Sequence, residues 1–324
     1  MRTSKKIARV LVGSAVAAAG LVTASVDTAA AATVSTDLCA APGTATLTGS
    51  TTVPIWGFGV PSTAGDCTTA TPSLPGPQLT VSEGDVVTIR VINALPAGHT
   101  VRFEIPGIDF AAGATDAAPG GSVTRTFTAG APGTYLYQSG GDTGRQEAMG
   151  LAGALVVRPS TPGRAYDDAA TAFDVEQTLV LGAVDPAFNA APETFDMGTY
   201  RATYWLINGK AYPDTAGITA AAGQRVLLRY ANAGYDNTTM ALLGLHEHVV
   251  GRDARLLNNP FDANAETIPA GGTEDAIATV PSGTAPSAHG FPLYNRQLHL
   301  TNGSQTGTGP TPATGGGMLT FIHP

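Results

Sequence analysis

The chain of 324 residues carries little charge for its size, 13% Asp, Glu, Lys and Arg against 40 glycines and 23 prolines, and its formal net charge is −8. Such an acidic surface repels nucleic acid and anionic lipid, which excludes nucleic-acid binding as a role. Only two cysteines and six histidines are encoded, and that bounds any metal chemistry.

Taken in order, residues 1–32 open on Met1-Arg-Thr-Ser-Lys-Lys-Ile-Ala-Arg9, continue through the small apolar run Val10–Val26, and close on an Ala-x-Ala pattern around Ala30–Ala32. A basic start, a short apolar centre and a small-residue exit predict a secretory signal peptide and a secreted, extracellular protein. The run is rich in Ala and Gly and has no basic flank after it, which argues against a membrane anchor. It lacks an Arg-Arg pair, which favours general secretion over twin-arginine export. Removing this stretch, with Arg2, Lys5, Lys6 and Arg9 against Asp27, leaves 292 residues and takes the formal charge from −8 to −11. No later segment is apolar for long enough to span a bilayer.

Cys39 and Cys67 follow, both in Ala/Thr/Pro/Gly loop sequence. In an exported chain an even pair is most simply a disulfide. A copper thiolate is the alternative, and neither cysteine has a histidine within three residues. Beyond them, short alternating segments predict strands over Asp85–Asn93, Ser122–Gly130, Leu151–Pro159, Arg225–Gly234 and Met318–Pro324, each bounded by Gly, Pro or Asn. Only Tyr166–Asp174 hints at a helix. This pattern predicts an all-β sandwich. The stretch "LTVSEGDVVTIRVINAL" (Leu79–Leu95) is echoed by "ITAAAGQRVLLRYANAG" (Ile218–Gly234), and both halves close alike, on "GLAGALVVRP" and "GGGMLTFIHP". The repeat predicts two tandem sandwiches, at 33–160 and 176–324, with a linker at 161–175.

Three blocks in the first half, "PGPQLTVSEGDVVTIRVINAL", "APGGSVTRTFTAGAPGTYLYQSG" and "MGLAGALVV", resemble in order and spacing the first domain of multicopper oxidases. "YWLINGKAYP", "LGLHEHVVGRDARLL" and "PLYNRQLHLTNG" resemble a further domain of that laccase-like family. The resemblance implies two tandem cupredoxin-like Greek-key β-sandwiches. It also implies copper held by imidazole and thiolate, largely through His-x-His pairs that share one face of a strand. Where the family has such pairs, the matching positions here are Arg102 and Glu104, then Gln138 and Gly140, inside the otherwise intact frame Gly133-Thr134-Tyr135-Leu136-Tyr137. No cysteine exists in the second half. Read through the resemblance, the fold is kept and the copper ligands at these positions are lost.

The remaining candidates for metal binding are His246 and His248, which share a strand face, with His299, His323 or Asp253 completing a mononuclear site. The alternative is that they are ordinary hydrogen-bonding histidines. His289 lies in a Gly/Pro/Ser loop, and Asp167 and Asp168 read as a solvated charge run. Arg102 and Glu104 are placed to pair with each other or with Gln138, or else to face solvent as a pair of little consequence. Phe188, Phe195, Tyr200, Tyr204 and Trp205 crowd the start of the second half, as core or as a ligand cleft. No nucleophile elbow, phosphate loop or Cys-x-x-Cys occurs, so no residue is assigned a catalytic role. The sequence thus leads to a non-catalytic binding or structural protein of the family, compatible with a place on a spore or wall. Its partner is a small molecule or an extracellular protein, and assembly into an oligomer is open to it. The rival is a copper-dependent oxidoreductase with a non-standard mononuclear site. Copper is the one cofactor to consider.

Overall fold

A computed structural model describes residues 31–282, 288–303 and 316–324, so the expected signal peptide lies almost wholly outside the described residues. The first half contains β1 (Thr33–Thr46), β2 (Thr52–Gly59), β3 (Leu79–Ser82), β4 (Val86–Asn93), β5 (Val101–Glu104), β6 (Asp116–Ala117), β7 (Ser122–Thr128), β8 (Gly133–Ser139) and β9 (Ala152–Arg158). They form two facing sheets, β2-β1-β4-β7 and β3-β9-β8-β5-β6. β4 shows why the sheets face each other. Val87, Ile89 and Val91 alternate inward to a core with Phe58, Phe103 and Tyr137, while Val86, Thr88 and Arg90 point away. Cys39 on β1 is bonded to Cys67 in the turn after β2, which fastens that loop to the sheet.

The second half contains β10 (Val175–Val184), β11 (Tyr204–Ile207), β12 (Ile218–Thr219), β13 (Arg225–Asn232), β14 (Thr238–Leu242), β15 (Glu247–Arg252), β16 (Arg255–Ala263), β17 (Ala265–Ile268), β18 (Thr273–Thr279), β19 (Phe291–Asn295) and β20 (Leu319–His323). Its sheets run β11-β10-β13-β18-β15-β16 and β12-β20-β19-β14-β17. Strand for strand this repeats the first half, with the hairpin β15–β16 added. Both halves are all-β Greek-key sandwiches. Helix is confined to short pieces such as α1 (Arg145–Ala148) and α2 (Pro186–Ala190). Where Tyr166–Asp174 hinted at a helix, the chain makes a single tight turn capped by Asp168. Among the described residues no helix is long and apolar enough to cross a membrane.

The repeat extends to single atoms. Gly84 and Gly223 both take φ of +87°, the left-handed turn into β4 and β13 that favours glycine. Asn93 and Asn232 end those strands, fully buried. The Asn93 amide donates to the carbonyls of His99 and Ala117 at 2.7 and 2.9 Å, and its oxygen accepts from Leu95 N–H. Asn232 does the same with Asp236, Ile268 and Gly234.

One strand breaks the alternation. β13 is buried on both faces, because its outer face packs on the first sandwich, where Leu136, Ala152 and Ala154 meet Val180 and Ala231. The tip of the added hairpin crosses the same seam, and Ala254 joins the core of the first sandwich. Gly133 makes room for it, since a Cβ there would lie 2.7 Å from Ala254 Cα.

Candidate functional site

β5 and β8 lie side by side, and their register sets Glu104 opposite Gln138. Arg102 is opposed on its other side by Asp116 of β6, and its guanidinium takes both carboxylate oxygens, at 2.7 and 3.0 Å. The sequence suggested Glu104 or Gln138 as the partner. Asp116 is the partner instead, because directly opposed residues on neighbouring strands are closer than positions i and i+2 on one strand. The pairing raises the Arg102 pKa and lowers that of Asp116. Glu104 lies over Gly140, where a Cβ would collide with both of its carboxylate oxygens. The glycine is what leaves room for that carboxylate. Beside them in α1, Glu147 keeps one buried oxygen, Oε2, without a partner. Burial, helped by the negative neighbours Glu104 and Asp142, pushes its carboxyl up to about 7. These four positions therefore hold a guanidinium, which has no lone pair to give, a carboxylate, a carboxamide and no side chain. This is not the imidazole and thiolate set on which copper sites of this kind depend.

All six histidines are among the described residues. His246 precedes β15 and is exposed; His248, on the strand, places Nδ1 2.7 Å from Asp262 on β16. Glu247 points the other way, into the sandwich. His299 stacks on Trp205 with ring centroids 4.1 Å apart, and burial lowers its pKa. His323 lies against Phe321, as does His289. His99 lies tilted against Trp56 and has Asp142 and Glu193 on its two nitrogens, at 3.4 and 3.3 Å. Asp253 accepts from Thr273 N–H at the hairpin tip. Among the described residues no three His, Cys, Asp or Glu side chains converge in a group that could hold a metal ion.

Sequence reasoning passed over two buried charged clusters. Arg229, fully buried on the outer face of β13, donates to Glu176 at 2.6 Å and to Thr134 Oγ1 of the first sandwich at 3.2 Å. Asp275 accepts from Thr134 and from Tyr166, both at 2.6 Å, so one arginine and one aspartate tie sandwich, linker and sandwich together. Inside the second sandwich the Tyr230 hydroxyl donates to Glu247, and Arg252 ties Glu274 to Glu266. Burial pushes the Glu247 carboxyl up to about 8 and that of Glu274 up to about 7. Their sequence signal was a charged residue inside an otherwise apolar strand, Arg229 in "RVLLRYANAG" on the outer face of β13, and Glu247 at an inward position between two outward histidines.

Comparison with known proteins agrees with the fold. A family model described as multicopper oxidase matches residues 61–162. The copper-containing nitrite reductase of Alcaligenes xylosoxydans xylosoxydans is 30% identical over 232 residues, 64% of this chain and 69% of that protein. Laccase-3 of Oryza sativa subsp. japonica is 29% identical over 230 residues, and the match spans only 39% of its length. The blue copper oxidase of Nitrosomonas europaea superposes with a TM-score of 0.72 at 21% identity, covering 89% of this chain and 85% of that one, a likeness of fold alone. The two sandwiches are thus a tandem cupredoxin-like pair. The chain belongs to the multicopper oxidase family.

Proposed function

We propose that this is a secreted member of the family in which copper redox chemistry has given way to a non-catalytic binding or structural role outside the cell. The observation that carries the reading is the side-chain arrangement at Arg102, Glu104, Gln138 and Gly140. The guanidinium is committed to Asp116, and the Glu104 carboxylate fills the space that a side chain at position 140 would need. An oxygen-and-guanidinium cluster is a poor host for copper, and restoring one histidine there would leave the others in its way. That no three His, Cys, Asp or Glu side chains group to hold a metal ion among the described residues supports the same reading. The rival, a mononuclear copper oxidoreductase built on His246 and His248 with His299, is favoured by the copper enzymes among the relatives.

The test is reconstitution of purified protein with excess Cu²⁺, followed by metal analysis after desalting, absorbance in the blue-copper band, and oxygen uptake with a phenolic reductant. The expected result is less than stoichiometric copper, no blue band and no oxygen uptake above free Cu²⁺. Stoichiometric copper with turnover sinks the proposal, and copper lost in His246→Ala would establish the rival.

A further inference from the structure

The aromatic residues at the start of the second sandwich divide into two groups. Phe188 is fully buried and packs edge-on against Phe195 and Tyr200, and Tyr204 is buried beside Val184 and Leu206. Half-buried Tyr200 and Trp205, which is as buried as Tyr204 and belongs to the core of the second sandwich, line an open cleft of about 480 Å³, completed by Arg201, Tyr235, Asp236 and His299. That size falls within the roughly 300–1,000 Å³ of sites that enclose a small ligand. Its rings are arranged as two stacked pairs. Trp205 and His299 lie 4.1 Å apart and 13° from parallel, and Tyr200 and Tyr235 lie 5.1 Å apart and 29° from parallel.

The polar groups at the mouth are not used by the fold. Among the described residues, the Asp236 carboxylate, the Tyr235 hydroxyl, the His299 ring nitrogens and the Trp205 indole N–H have no hydrogen-bond partner in the protein. Arg201 gives one N–H to the Tyr200 carbonyl, at 2.6 Å, and keeps the rest. Flat apolar rings beside several free donors and one free carboxylate match a ligand that is apolar on its faces and hydroxylated around its rim. A pyranose ring has that character: its C–H faces lie on aromatic rings, and neighbouring hydroxyls reach a carboxylate and a guanidinium together. A phenol would satisfy the rings and one polar group, leaving the others unpaired. An acidic ligand would meet Asp236 and a chain of net charge −8.

We propose that the cleft formed by Tyr200, Arg201, Trp205, Tyr235, Asp236 and His299 binds a neutral saccharide. The cleft uses none of the four positions around Gly140 and shares only His299 with the rival copper site, so the saccharide test, which reads Asp236 and Tyr235, is separate from the copper reconstitution.

Trp205 is one of two tryptophans, so Trp56→Phe leaves it as the sole reporter. In that background the protein is applied to an array of neutral glucan, chitin, mannan and xylan oligosaccharides. Trp205 emission is then titrated with the best binder, or with cellotetraose and chitotetraose if none stands out. The expected result is a saturable emission change that Asp236→Asn and Tyr235→Ala each weaken about tenfold, with unchanged circular dichroism. Three results overturn the proposal: no array signal together with no emission change, binding indifferent to both substitutions, or saturation by 2,6-dimethoxyphenol that no saccharide displaces.

Discussion

Glu247 offers a quantitative check on how the second sandwich is built. Its side chain is fully buried, one oxygen accepts from Tyr230 and the other has no partner. Burial is the main cause that lifts its carboxyl from an ordinary 4.5 to about 8, with Glu274 and Glu266 adding to it. A folded-state pKa above the unfolded one means that the folded protein holds a proton which the unfolded chain releases. Stability is then full below pH 4.5 and declines as pH rises to about 8, by about 1.4 kcal/mol per pH unit and about 5 kcal/mol in all. Against a typical folding stability of about 5–15 kcal/mol, this is a large alkaline liability. Glu247→Gln removes the titration and keeps an acceptor for Tyr230, at the cost of an unpaired amide of about 1–3 kcal/mol. The variant is therefore expected to be less stable than wild type at pH 5 and more stable at pH 9. Urea unfolding followed by near-ultraviolet circular dichroism at steps between those values measures the difference. Curves for the two proteins that run parallel across the range would refute the reasoning.

The repeated asparagines give a second check: Asn93→Ala and Asn232→Ala each remove three buried hydrogen bonds, and each is expected to cost about 2–4 kcal/mol by urea unfolding, with similar losses from the two sandwiches. The Cys39–Cys67 bridge closes a loop with a sequence separation of 28, so Cys39→Ser with Cys67→Ser is expected to lower stability by about 3–4 kcal/mol, and reduction of the wild type should reproduce the loss.

Much of this architecture could be read along the chain. The strands expected at Asp85–Asn93 and Ser122–Gly130 form over Val86–Asn93 and Ser122–Thr128, because alternation with a period of two and flanking Gly or Asn are local properties of the chain. The tandem repeat was legible for the same reason: Gly84 and Gly223, and Asn93 and Asn232, meet the same backbone demand twice. The Cys39–Cys67 bridge was expected from an even cysteine pair in a chain that opens like an exported one, with no histidine near either cysteine.

The site was legible only in part. The identities at Arg102, Glu104, Gln138 and Gly140 were in the sequence, but their partners were not. Asp116 and the fit of Glu104 over Gly140 depend on cross-strand register, which no single strand encodes. His246, His248 and His299 could be named in advance, whereas their distances from one another are set by the hairpin and loops that carry them. The partners of Arg229 and Glu247, and the joining of Tyr200 and Trp205 with Tyr235, Asp236 and His299 in one cleft, needed the tertiary structure. The sequence by itself determined the strands, their repetition and the small stock of metal donors. Only the packing of sheet on sheet, for Glu247, and of sandwich on sandwich, for Arg229, decided which charged groups lose contact with water, because burial is a property of distant segments brought together.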